Sequence, residues 1–311
     1  TAYPEATARS HGEVRNMEPS ARSILVGYDD TSAAMAAVRW AAELAHDTGA
    51  GIRLLHAWTW PLLGQGLAGI PVLDPAGPRN QASRLLDDAA ERIAAQHPDV
   101  PVTAELFAGM PREVLEEASA GTDLLVVGTR GLGAVLGTLL GSVSRGLLHD
   151  AGCPVAIIRS DQHRAGPVLV AYDGSDTAGE AVDVAADLAA AWGSTLRVVH
   201  VRTVPHAPYG SGGEAWEAGK GTRALLDEGV ARARARRARV EVQSRMLEAR
   251  TAAEGLLDAA AGARMLVLGH RGLSRGRFGS TAHATVLHAT GNVTVVRHAP
   301  EVRAAAHEDV T

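Results

Sequence analysis

The chain is written twice. The stretch from Ile24 to Trp58, ILVGYDDTSAAMAAVRWAAELAHDTGAGIRLLHAW, returns as VLVAYDGSDTAGEAVDVAADLAAAWGSTLRVVHVR from Val168 to Arg202. Asp29 falls on Asp173 and His56 on His200, both at an offset of 144. Further on, VVGTRGLGAVLGTLLGSVSRG (Val126 to Gly146) matches VLGHRGLSRGRFGSTAHA (Val267 to Ala284), and CPVAIIR (Cys153 to Arg159) matches GNVTVVR (Gly291 to Arg297). A repeat of this length is one folding unit used twice, and each unit of about 140 residues is an ordinary domain. The polar run SDQHRAG (Ser160 to Gly166) is the natural linker. The expected organisation is an extension over residues 1–20, a first domain over 21–160, a second over 166–299 and a tail over 300–311. Met17, just ahead of the first strand-like run, is the expected natural start.

Within a half, strand and helix patterns alternate. SILVGY is a continuous apolar and β-branched run, as a strand buried on both faces requires. After it, Val38, Ala41, Ala42 and Ala45 recur at the i, i+3, i+4, i+7 spacing of a helix face, and the second half keeps that face as Val182, Ala185, Ala186 and Ala189. Thr31 or Ser32 suits the start of this helix and Gly49 its end. IRLLHAW, VTAELFAG, DLLVVG and PVAIIR follow as strands, with helical patterns between them and Pro111 opening the third helix. Such alternation predicts an α/β fold, a parallel sheet covered by helices, with right-handed crossovers. Two segments, Thr59 to Asn80 and Thr203 to Gly221, read as long irregular loops, a length often used for lids or binding loops.

Composition narrows the function. A formal charge of -5 argues against a general nucleic-acid binder. A single cysteine, Cys153, excludes an intrachain disulfide and fits a reducing, cytoplasmic compartment. No apolar run approaches the roughly 20 residues of a membrane span, and the first residues carry no signal-peptide core. The histidines show no metal-ligand spacing: His283 and His288 are five apart, poor for one helix face. No GxSxG elbow is present. His56 and His200 read as pocket-wall or core histidines, and Cys153 as a buried small residue. The run ARARARRARVEVQSR, with Arg232, Arg236 and Arg239, reads as a solvated helix face, with a patch for acidic partners as the alternative.

Chemistry points to the glycine stretch after the fourth strand. Ligands of open α/β sheets sit at the carboxyl ends of the strands. Gly128 and Gly131 would allow positive φ and a close approach of backbone to ligand. Gly141 and Ser142 would open a helix whose free N–H groups and partial positive charge suit an anion. Neither the Walker loop nor the dinucleotide fingerprint is present. Asp29, at the end of the first strand, would face the same crevice and accept from a base amine or a ribose hydroxyl. Turn formation alone would also account for the glycines.

The pattern resembles that of tandem universal stress proteins. They share the opening VGxDxS, seen here as VGYDDTS with Gly27 and Asp29, and the spacing G-x2-G-x9-G-[S/T], met by Gly128, Gly131, Gly141 and Ser142. The LLHAW-type second strand and the CPVAIIR ending belong to the same pattern. The resemblance spans both halves, from Ile24 to Arg297. It implies two Rossmann-like domains, each a five-stranded parallel sheet in the order 3-2-1-4-5, and binding of ATP, ADP or AMP, with or without magnesium. By position it places Asp29 and Ala57 on the adenine side, and Val127, Gly128, Gly131, Gly141, Ser142 and Val143 around ribose and phosphates.

The second half departs from the pattern. Asp173, Val201, Leu268, Gly269, Gly272 and Ser280 keep their places, but only six residues separate Gly272 from Gly279, where the first half has nine. Thr281 replaces Val143, and Asn292 stands where the first half has Pro154. Arg271, Arg275 and Arg277 add positive charge to the shortened loop, so it either clamps phosphate through arginine or is too short to hold it. The first half is expected to be the stronger site. The fifth strands, PVAIIR and NVTVVRH, are apolar edges expected to pair with each other as a built-in dimer, with a further homodimer of chains as a second expectation. The functional expectation is an adenine-nucleotide sensor or regulator of stress survival without fast catalysis. The alternatives are a slow ATPase or nucleotidyl-transfer enzyme, and a nucleotide-free interaction module.

Overall fold

A computed structural model describes residues 22–58, 76–129, 140–160, 165–204, 212–273 and 278–297. The N-terminal extension with Met17, the tail from 300, Gly131, Arg275 and Arg277 lie outside the described residues. The first half runs β1 (Ser23–Gly27), α1 (Ser32–Thr48), β2 (Gly51–Trp58), α2 (Ala76–Gln96), β3 (Val102–Ala108), α3 (Pro111–Ser119), β4 (Leu124–Gly128), α4 (Ser142–Asp150) and β5 (Val155–Ile158). The second half runs β6 (Val168–Ala171), α5 (Asp176–Trp192), β7 (Leu196–Thr203), α6 (Gly212–Arg236), β8 (Val242–Ala249), α7 (Ala252–Ala259), β9 (Met265–Gly269), α8 (Ser280–His288) and β10 (Val293–Val296).

Two parallel five-stranded units join into one sheet, in the order β3-β2-β1-β4-β5-β10-β9-β6-β7-β8. Each unit has the expected 3-2-1-4-5 order, and the seam between them is the antiparallel pair of β5 and β10, with Ala156 opposite Thr294. Pairing the fifth strands hides two wholly buried apolar edges, VAII and VTVV, that would otherwise be open to aggregation. Asn292 fastens the seam. Its Oδ1 accepts from the amides of Arg159 (2.8 Å) and Ser160 (3.2 Å), and its Nδ2 donates to the Ser160 carbonyl (2.8 Å). Arg159 is half-buried there and donates to the carbonyl of Val286 in the last turn of α8 and to that of Gly291 beyond it. Burial pulls its guanidinium down to about 10, still charged at neutral pH.

Why these helices start and stop where they do follows from local chemistry. Thr31 accepts from the Ala34 amide at 3.2 Å and Ser175 from the Ala178 amide at 3.3 Å, so equivalent hydroxyls cap α1 and α5. Gly49 and Gly193 end the same two helices in the left-handed conformation, at φ 69° and 58°. One face of the sheet is covered by α1, α2, α5 and α6, whose small buried residues (Ala37, Ala41, Ala45, Ala181, Ala185, Ala189) let the helices lie close. Trp40 and Trp192 meet edge to face across the two halves, with ring centroids 5.9 Å apart. The other face is covered by α3, α4, α7 and α8 around Leu25, Leu125, Leu147, Leu169 and Leu266.

Three expectations need correction. The helices α2 and α6 begin at Ala76 and Gly212, inside segments read from sequence as irregular to Asn80 and Gly221. Glycines and Pro78 suggested loops, but each helix is a single element anchored through Leu86 and Leu226 in the core, and that packing outweighs the propensity cost of about 1 kcal/mol per glycine. Arg239 does not share a helix face with Arg232 and Arg236, because α6 ends at Arg236. Arg232 and Arg236 on the helix pair with Asp183 and Asp187, and Arg237, just past its end, shares Asp187.

Candidate functional site

The carboxyl ends of the strands, the amino ends of the helices that follow, and the turns between them converge on one edge of the sheet in each half. In the second half they enclose a cavity of about 220 Å³. All eight residues singled out there line it. Asp173 and Val201 stand at the β6 and β7 ends, Leu268 and Gly269 end β9, Gly272 follows, and Gly279, Ser280 and Thr281 open α8. Tyr172, His200 and Arg271 join them in the wall. Sequence reasoning missed Ala252 and Leu256 on α7, and Leu273. The signal was available in the first two cases: α7 follows the third strand of its unit, so its amino end must come over the same crevice.

Asp173 is held rather than free to swing. Its Oδ1 accepts from the Ser175 hydroxyl (2.6 Å) and amide (3.0 Å), the same serine that caps α5. A methyl group built on Gly272 would stand 2.5 Å from Asp173 Oδ2. The carboxylate therefore reaches across from β6 to the loop after β9, and a side chain at 272 would push Oδ2 aside. Asp29 is held alike, with Oδ1 accepting from the Thr31 hydroxyl (2.6 Å) and amide (3.2 Å). Asp30, the next residue, has a left-handed backbone at φ 60°, where the second half has Gly174 at φ 82°. His200 Nδ1 donates to the Tyr172 carbonyl at 2.8 Å, and His56 Nδ1 to the Tyr28 carbonyl at 2.7 Å. A carbonyl can only accept, so each ring carries a proton on Nδ1.

Gly128 does not have a positive φ, which corrects the expectation drawn from sequence, and its counterpart Gly269 does not either. A methyl group on Gly128 would lie 2.6 Å from the carbonyl carbon of Ala33, and one on Gly269 would lie 2.7 Å from Thr177 Oγ1 and 2.9 Å from the Thr177 carbonyl carbon. The strand end is pressed against the first turn of α1 or α5, and a side chain would pry them apart. The loop that follows is closed the same way in both halves. The Gly141 amide donates to the Thr129 carbonyl (2.7 Å), and the Gly279 amide donates to the His270 carbonyl (2.8 Å). The three-residue difference lies wholly inside this bracket, so the shorter loop leaves strand and helix in register. Gly141 and Gly279 then serve as N-caps of α4 and α8 with extended backbones and no side-chain cap, which leaves the first amides of each helix to other acceptors.

In the first half, Gly27 ends β1, Ala57 sits near the end of β2, Val127 and Gly128 end β4, and Ser142 and Val143 begin α4. The Ser144 hydroxyl donates to the Gly128 carbonyl at 2.8 Å and fixes α4 to the strand end. Cys153 is buried and its thiol is pushed up to about 12, mainly by burial. Among the described residues no group of three His, Cys, Asp or Glu side chains is placed to hold a metal ion. No described helix is long and apolar enough to cross a membrane.

A sheet doubled through its fifth strands, with a glycine-bracketed loop opening an uncapped helix in each half, agrees with what family comparison finds. The model of the universal stress protein family matches residues 20–159 and again 165–297. The chain belongs to that family. A universal stress protein of Mycolicibacterium smegmatis is 33% identical over 296 residues, covering 88% of this chain and 96% of its own. One of Mycobacterium tuberculosis is 35% identical over 193 residues, covering 58% and 64%. The crystal structure of a universal stress protein from Archaeoglobus fulgidus shares the fold, with a TM-score of 0.64 at 22% identity over 89% of this chain and 99% of its own. This universal stress protein is thus of the tandem type, with both units in one chain.

Proposed function

We propose that the chain binds an adenine nucleotide at the carboxyl edge of its sheet and acts through occupancy, as a sensor or regulator, rather than by rapid turnover. The observation that carries this reading is the second-half cavity. It has a fixed carboxylate, Asp173, at one end and an uncapped helix start, Gly279 to Thr281, at the other. The free amides of a helix start favour a phosphate. Asp173, through Oδ2, suits a hydroxyl or amine donor on ribose or base. Arg271 in the wall adds a guanidinium for the anionic tail, ATP, ADP or AMP. In the first half Asp29, Ala57, Gly128, Ser142 and Val143 would take the equivalent roles. Asp29 and Asp173 each spend one carboxylate oxygen on a helix-cap turn, an arrangement that suits positioning better than proton transfer.

The experiment is direct. Freshly purified protein is denatured and the released small molecules are separated by chromatography, with a thermal shift on adding ATP to the stripped protein as the second arm. Release of an adenine nucleotide, or a rise in melting temperature that saturates with ATP, is expected. No nucleotide in the extract together with no shift would leave the edge of the sheet as scaffold for protein contacts.

A further inference from the structure

The loop that opens the second cavity is not packed only by its own half. Phe278, the residue before the cap Gly279, lies against the first half: its ring centroid is 5.0 Å from that of His149, in the last turn of α4. It also meets His283 of α8, at 5.9 Å and nearly perpendicular. Phe278 therefore contacts one histidine from each half, and it immediately precedes the start of α8 at the cavity.

The charges around His149 are unbalanced. Asp150 on its own helix attracts a proton to it, but Asp150 is engaged by Arg112 of α3. His283 of α8 and Arg297, just past β10, face it with positive or potentially positive groups. Burial lowers Arg297 most; Asp150 and then Glu116 act against that, and Arg271 of the cavity wall acts with it. The Nε and Nη1 groups of Arg297 are buried and find no hydrogen-bond acceptor among the described residues, whereas the equivalent Arg159 donates to two carbonyls. Burial, first of all, pulls the His149 imidazole below its ordinary value, with His283, Arg112 and Arg297 acting in the same direction.

We propose that anion binding in the second cavity is coupled to protonation of His149 across the seam between the halves, with Phe278 as the contact that joins them. The inference rests on the nucleotide reading and adds its regulation. A phosphate at the start of α8 would bring negative charge beside Arg271 and the Phe278 contact, and would raise the proton affinity of His149. Linkage then runs both ways: a site that takes up a proton on binding binds more tightly as pH falls through the histidine range. One charge added within a Debye length of the anion corresponds to a gain of about three- to tenfold in affinity. The second half thereby becomes an acid-responsive site, set by a residue that belongs to the first.

The test uses the full chain carrying Ser142→Asp, which places a carboxylate at the start of α4 and leaves the second cavity as the nucleotide site. ATP affinity is measured by calorimetry between about pH 8 and pH 5, with and without His149→Gln. Protonation of the ATP itself is common to both proteins and cancels in the comparison. The proposal expects affinity to fall on acidification by about three- to tenfold more in the His149→Gln protein. Phe278→Leu, which removes the ring but keeps an apolar side chain, is expected to reduce that difference. A nuclear magnetic resonance titration of His149 supplies the second measurement, with its pKa rising on ATP binding. Equal pH profiles and an unmoved His149 titration would overturn the coupling while leaving the nucleotide reading in place. No ATP binding at any pH would overturn both.

Discussion

Replacing Gly128 by alanine separates two jobs that glycine does in this protein. The added methyl would sit 2.6 Å from the Ala33 carbonyl carbon and 2.7 Å from its oxygen. Neither atom can retreat cheaply, because Ala33 lies in the first turn of α1, where Thr31 caps the helix and Asp29 holds Thr31. Gly269→Ala meets the equivalent obstruction at Thr177. Forced overpacking of this kind costs about 3 kcal/mol, which for a domain of this size lowers the melting temperature by about 8 °C. Gly272→Ala differs. Its backbone is not left-handed and its new methyl would meet only the far oxygen of the Asp173 carboxylate. Turning Oδ2 aside while Oδ1 keeps its Ser175 hydrogen bonds costs about 1 kcal/mol or less of stability but displaces the group proposed to meet the ligand. Thermal unfolding and ATP calorimetry on the three variants are the assays. The expected result is a large loss of stability for Gly128→Ala and Gly269→Ala, and a loss of affinity with near-native stability for Gly272→Ala. A Gly128→Ala protein as stable as the parent would refute the packing argument.

Asn292→Ala should destabilise the seam by about 3 kcal/mol, because two amides and one carbonyl of the first half lose their partner; a separate, earlier unfolding transition by calorimetry would show the halves parting. Cys153 should resist alkylation at about pH 8, since a thiol pushed up to about 12 carries almost no thiolate; labelling at the rate of a free thiol in native buffer would contradict its burial. The carboxyl of Asp187 is held below its ordinary value. Burial works against that, and the paired guanidiniums of Arg236 and Arg237 outweigh it. Its contribution is therefore complete above the ordinary carboxylate range and lost as pH falls through the depressed value. Asp187→Asn should flatten the acid side of the stability profile, measured by urea unfolding below about pH 5.

What the sequence made legible followed from pattern and spacing. Two repeats of a buried strand run with an alanine-rich helix face predict a parallel, helix-covered sheet in each half, and the strand order comes from the resemblance to tandem universal stress proteins. Eight second-half residues, picked by their match to the first half, come together in one cavity, because equivalent strand ends and helix starts carry them even where the connecting loop is shorter. The reason for a glycine was not legible. Gly128 in sequence looks like a turn former, and only the approach of Ala33 shows that it is a contact. Nor could spacing reveal the neighbours of Phe278, because His149 lies in the other repeat and reaches it only through the antiparallel seam. The helix starts at Ala76 and Gly212 were hidden for a related reason: local glycine and proline argue for a loop, and the core partners that overrule them are distant in sequence.

The account stands on phosphate being held by the amides at the starts of α4 and α8. Calorimetric titration of ATP into nucleotide-free protein, compared with the double variant Ser142→Asp, Ser280→Asp, tests this most directly. A carboxylate in the first turn stabilises a helix and repels an anion at the same place, so the double variant should fold normally and lose ATP binding by at least about tenfold. Undiminished ATP affinity in the folded double variant would contradict it.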